Sequence, residues 1–235
     1  MHTSRTLRST LLLATSLIAG TLLAQDATPL TVTMDYETHR KGKRVDKRSG
    51  TLTVTFGPDD RYAMTTRETA ASPPVTVIFD GAKRTMTTVA EGDDGLVATV
   101  MPMLAVGDRA LQAFGDDYEK TGKTREILGR TTHEYRITDD GDVHHAWIAS
   151  VPELRWGDLA ATLTGASAAQ ARAMLPNIPD VPDAFPLANT TVKRGGKVTT
   201  TSTVTALALG ADADLSALEI PAGAVVNDLS AMMRF

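Results

Sequence analysis

The clearest regularity in the chain is an alternation of period two. From Leu30 to Thr38, Leu30, Val32, Met34 and Tyr36 fall on one side and Thr31, Thr33, Asp35 and Glu37 on the other. Successive side chains of a strand point to opposite faces, so this pattern predicts a strand with one covered and one wet face. Thr51–Phe56 repeats it with Leu52, Val54 and Phe56, and Arg61–Glu68 follows with Tyr62 and Met64. Gly57-Pro58-Asp59-Asp60 separates these two as a turn. Val75–Phe79 and Arg84–Val89, joined by Asp80-Gly81-Ala82-Lys83, predict a hairpin. Together these runs predict an opening meander of about five strands.

The same alternation governs Tyr118–Ala149, which predicts strands over Lys120–Leu128, Thr131–Thr138 and Val143–Ala149. In the middle strand His133, Tyr135 and Ile137 share one face, and Thr132, Glu134 and Arg136 the other. Asp139-Asp140-Gly141-Asp142 supplies the Asp-Gly signal of a tight hairpin. Leu187–Lys193 and Val198–Leu207, around Arg194-Gly195-Gly196-Lys197, predict a last hairpin, and the tail Leu215–Leu229 reads as extended. His39–Gly50 reads as a basic connection, and Asn177–Pro186 as a proline-rich connection outside any ladder.

Two stretches carry helical spacing instead. Met103–Phe114 places Leu104, Leu111 and Phe114 on one side. Asp158–Leu175 opens with Asp158 as N-cap, carries Leu159, Leu163, Ala166, Ala173 and Met174 on one stripe, and stops at Pro176. A sheet with one apolar face must cover it, and these two helices are the material expected to do so. The fold expected is mainly β with some α: a curved, mostly antiparallel sheet covered by two helices.

The N-terminus changes where such a domain works. Arg5 and Arg8 precede the apolar Leu11–Leu23, then Ala24 and the polar Gln25-Asp26. That order reads as a secretory signal peptide over 1–24, leaving one domain over 25–235. A spanning helix needs about 20 apolar residues, and Thr15, Ser16 and Gly20 interrupt this one. The expected product is exported, soluble and periplasmic. It is not lipidated, because the chain has no cysteine, which also removes disulfides, thiol nucleophiles and Cys-ligated metals. Cleavage removes two arginines, leaving 22 basic against 28 acidic residues and a net charge of −6, which argues against nucleic acid as a partner.

Candidate chemistry is sparse. His144-His145 suggests a metal, but neighbours on a strand face opposite ways, so no metal site is assigned. Asp139–Asp142 lacks the spacing of a calcium loop and is explained as a turn. Gly165-Ala166-Ser167-Ala168-Ala169 is the nearest approach to a nucleophile elbow, but it lies within a predicted helix. No phosphate loop or dinucleotide fingerprint occurs, so no catalytic residue and no cofactor are assigned and a non-enzymatic role is expected. His39–Arg48 is basic on an acidic chain; a solvated hairpin tip explains it, and anionic lipid or an acidic partner is the functional alternative. Met101, Met103 and Met174 in or beside the helices suit an adaptable apolar surface or ordinary packing.

The spacing Ile127-x-Gly129, then Tyr135, then Trp147, resembles an exported bacterial family of unknown function. Leu218-Glu219-Ile220-Pro221-Ala222-Gly223 is similar to that family's closing segment, and Gly57–Arg67 to one of its early strands. The resemblance implies a lipoprotein-carrier-like (LolA-like) half-barrel: an unclosed antiparallel barrel around helices, with an apolar hollow for a lipid, acyl chain or other apolar ligand. On that reading Met34, Tyr36, Val54, Phe56, Met64, Met103 and Trp147 are expected to line the hollow. The alternatives are an envelope protein-interaction module whose hollow is filled by its own side chains, and a hydrolase that brings Ser, His and Asp together.

Overall fold

The computed structural model describes residues 28–40, 46–103, 118–139, 141–153, 181 and 184–230. The expected signal peptide and the helix expected over Asp158–Leu175 lie outside these residues, as does the helix over Met103–Phe114 apart from Met103 itself.

Twelve strands form a single sheet. They are β1 (Leu30–Arg40), β2 (Asp46–Phe56), β3 (Arg61–Arg67), β4 (Val75–Asp80), β5 (Thr85–Gly92) and β6 (Gly95–Pro102), then β7 (Tyr118–Ile127), β8 (Arg130–Asp139), β9 (Asp142–Ser150), β10 (Ala184–Val192), β11 (Val198–Leu209) and β12 (Val225–Asp228). The order across the sheet is β12-β6-β5-β4-β3-β2-β1-β11-β10-β9-β8-β7. β7 and β12 are its two edges, so the sheet is open rather than closed. Every pairing is antiparallel except β12 on β6, which is parallel.

Three expectations are corrected. Asp46–Gly50, expected in a basic connection, extends β2, and Arg40 pairs with Asp46. Pro186, expected outside any ladder, lies within β10 opposite Ile148. There β10 pairs with β9 alone, since its pairing with β11 begins at Ala188, so a proline interrupts at most one ladder. The tail expected to be extended over Leu215–Leu229 instead holds a short 3-10 turn, Ser216–Leu218, before β12; another, Gly210–Asp212, precedes it.

Alternation fixes which face is covered. Leu30, Val32, Met34, Leu52, Val54, Phe56, Met64 and Phe79 bury together on what we term the inner face. The core continues through Phe185, Leu187 and Val204 to Ala149 and Val151. A β-bulge lets it do so: Pro186 opposes Ile148 and Ala188 opposes Trp147, leaving Leu187 as the extra residue, and Phe185 comes to oppose Ala149. The outer face is sealed along one half by the C-terminal segment. Leu218 packs with Ala63, Ile78, Val89 and Ala98 in a second cluster. Arg61 bonds the Leu218 carbonyl and Glu219, while Asp214 receives the Thr55 hydroxyl and donates its N–H to Thr31.

Candidate functional site

Six of the seven residues expected to line a hollow converge on the inner face. Val54 is 0% exposed, Met34 1%, Met64 5% and Phe56 6%. Tyr36 and Met103 are partly buried and pack against this cluster. β1 and β2 hold the row in register, with Val32 opposite Val54 and Met34 opposite Leu52. Phe56 meets Tyr62 edge to face at 5.8 Å. The Tyr36 ring lies over Gly50, its cross-strand partner, where an added Cβ would stand 2.6 Å from the Tyr36 hydroxyl and 2.4 Å from the Arg67 carbonyl. A glycine here lets the ring lie flat on the backbone. Alternation does not single out these two as a pair.

Trp147 does not join them. It opposes Glu134 on β8 and Ala188 on β10; Ala188 opposes Thr203, and Thr203 opposes Asp35. Residues two apart on an unbulged strand share a face, so Trp147 stands on the same face of β9 as Ala149, and the Arg125 guanidinium stacks over its ring at 4.2 Å. Beside it Glu134 is buried and takes a hydrogen bond from Thr121 Oγ1 at 2.6 Å and a charged contact from Lys123 Nζ at 2.9 Å. His145 Nδ1 lies 3.4 Å from the same carboxylate. The Thr121 hydroxyl, then Lys123, hold Glu134 below the ordinary carboxylate value against the opposing effect of burial, with His145 adding a smaller pull.

Thr121, Gly122 and Lys123 sit in an irregular stretch of β7, between the pairs Lys120–Tyr135 and Thr124–His133. Gly122 takes a positive φ of 81° there. The irregularity carries Thr121 and Lys123 onto the carboxylate, and Glu134 in turn anchors this edge strand.

The remaining outer face is wet. Between β3, β2, β1 and β11 it carries an open groove of about 950 Å³ lined by hydroxyls and charges, among them Asp35, Glu37, Thr51, Thr53, Arg67 and Thr203. The apolar surface that could hold a lipid lies on the opposite side of the sheet.

Beyond Tyr36 the inner face changes character. Tyr36 opposes Ser202, Ser202 opposes Asn189, Asn189 opposes Ala146, and Ala146 opposes Tyr135. One row further, His144 opposes Thr191, and the two side chains meet at 3.0 Å; Asn189 Nδ2 donates to the same Thr191 hydroxyl at 3.1 Å. His144 and His145 thus serve opposite faces, His144 with Thr191 and His145 with Glu134. Among the described residues no three His, Asp or Glu side chains converge as metal ligands. None of the described helices is long and apolar enough to cross a membrane.

No protein-family model matches the chain, and a comparison with curated proteins finds no match. Among solved structures the chain is similar to an uncharacterized conserved protein from Thermus thermophilus, over 94% of this chain and 99% of that one, at 10% identity and a TM-score of 0.47. It is also similar to a LolA superfamily protein from Nitrosomonas europaea, over 85% of this chain and 91% of that one, at 10% identity and a TM-score of 0.32. A third likeness, to PNGF-II, covers 88% of this chain at 11% identity and a TM-score of 0.39. There the chain spans 32% of the longer protein.

Proposed function

We propose that the chain is a non-enzymatic binding protein that holds an apolar ligand, a lipid or acyl chain, against the inner face of its open sheet. One observation carries this reading: the continuous apolar floor from Phe79 and Met64 through Phe56, Val54 and Met34 to Leu187 and Phe185. Met34, Met64, Met86 and Met103 are spread along it, and unbranched thioether side chains re-pack around occupants of different shape. Met103 and Tyr36, only partly buried, are the positions where an occupant meets this floor. An exported protein would meet such ligands in the periplasm, with the leader at 1–24 as the address.

A second reading is an envelope interaction module with a filled core. The depth at which Met34 and Val54 are already covered, 1% and 0% exposed, favours it.

Uptake separates the two. Delipidated protein equilibrated with a long-chain fatty acid or phospholipid should form a one-to-one complex. Met103→Asp should weaken that complex at least about tenfold while leaving the thermal midpoint close to that of the parent, because Met103 lies at the margin of the floor. Absence of any complex with the parent protein points to the filled core.

A further inference from the structure

Tyr135 is 1% exposed, yet among the described residues its hydroxyl has no hydrogen-bond partner, and neither does the buried Oδ1 of Asn189. A buried polar atom left unpaired costs about 1–3 kcal/mol, so such atoms ordinarily face a water, an ion or a ligand. These two stand in one cross-strand row, on β8 and β10 with β9 between them, so their backbones are about 10 Å apart. The row continues through buried Ser202 to Tyr36, at the margin of the apolar floor. The inner face is therefore apolar at one end and hydrogen-bonding at the other.

The local network decides what kind of group is missing. Asn189 Nδ2 donates to Thr191 Oγ1, which also meets His144 Nδ1 at 3.0 Å. The amide is thus oriented with Nδ2 on Thr191, and its Oδ1, an acceptor only, is left needing a donor. The Tyr135 hydroxyl can give or take one bond. Lys120 stands 5.9 Å above the Tyr135 ring centroid.

We infer that the polar row Tyr135–Asn189–Ser202–Tyr36 is a head-group site for an amphiphile whose head donates hydrogen bonds, such as the hydroxyls of a monoacylglycerol, with the acyl tail lying on the Met34–Phe56 floor. The inference rests on the apolar-ligand reading above and narrows it to ligands with a donor head. An apolar ligand with no donor leaves Asn189 Oδ1 as unsatisfied as it is in the free protein.

The test compares two ligands with the same tail, a monoacylglycerol and the corresponding fatty-acid methyl ester, which has no donor. Binding is measured by calorimetry with delipidated protein. The parent should bind the monoacylglycerol at least about tenfold more tightly. Asn189→Leu and Tyr135→Phe should each reduce that preference. Equal affinity of the parent for the two ligands overturns the head-group site and leaves the apolar floor standing. Failure of both ligands to bind overturns the floor itself. Should Asn189→Leu fail to fold, Tyr135→Phe removes one oxygen and nothing else, and an undiminished preference in that variant removes Tyr135 from the site.

Discussion

Single side chains divide the two faces of this sheet more sharply than any element does. Glu134 illustrates the face it shares with Trp147. Its carboxylate is buried but bonded by Thr121 and Lys123, with His145 close by, so it remains charged in the fold. Replacing it by Gln keeps the shape and removes the charge-assisted bonds, which should destabilise the protein by about 1–3 kcal/mol at pH 7, read by urea unfolding. Folding lowers the pKa of Glu134 from an ordinary value of 4.5. The stability it contributes is therefore present above that value and is lost as pH falls through the lower folded value. The difference between parent and Glu134→Gln should shrink as unfolding is repeated below about pH 4.5. A gap that stays constant down to about pH 3 would mean that the carboxylate charge contributes nothing.

Alternation made the inner positions of β1, β2 and β3 legible, because a period-two pattern states the face directly. It does not show what covers Trp147. The Arg125 guanidinium that stacks on its ring comes from a different strand. The Tyr36–Gly50 contact was likewise hidden, since it depends on the register between two strands rather than on either one.

At the scale of elements, errors fell where strands are covered on both sides or interrupted. β6 was not anticipated, because Leu96, Val97, Val100 and Met101 follow no clean alternation. Its Ala98 lies in the outer cluster with Leu218, while Met86 of the neighbouring β5 packs against the inner one, so this part of the sheet has no wholly wet side. Such strands lose the period-two signal. The residues of β12 read as extended, but its parallel pairing was illegible for another reason: it joins β6, a strand far earlier in the chain, and no local pattern encodes that choice. The bulge of β10 inserts one residue that switches the face of every later position relative to β9, again without a local marker.

The C-terminal segment is the element whose importance the structure raises most. Leu218 is 3% exposed and fills the space that Gly57 leaves open, where an added Cβ would approach Leu218 Cδ1 to 2.3 Å. Leu218→Ala should cost about 2–5 kcal/mol by opening a cavity in the outer cluster. Hydrogen exchange should then rise first in β12 and β6, which depend on this segment for their cover. Unchanged protection in β6 would show that the segment is not fastened through Leu218.

The described residues form an open twelve-stranded sheet with a polar groove on one face and an apolar floor on the other. That asymmetry is what makes a carrier-like role physically coherent, because an open sheet can admit a ligand to one face without unpairing its ladder. The most direct measurement is native mass spectrometry of the protein purified from a bacterial periplasm, with organic extraction and lipid analysis of whatever it carries. The apolar floor predicts a bound acyl-chain species that leaves on extraction and returns when the stripped protein is offered the same lipid. A clean apo mass, with no uptake of monoacylglycerol, fatty acid or phospholipid, would contradict it.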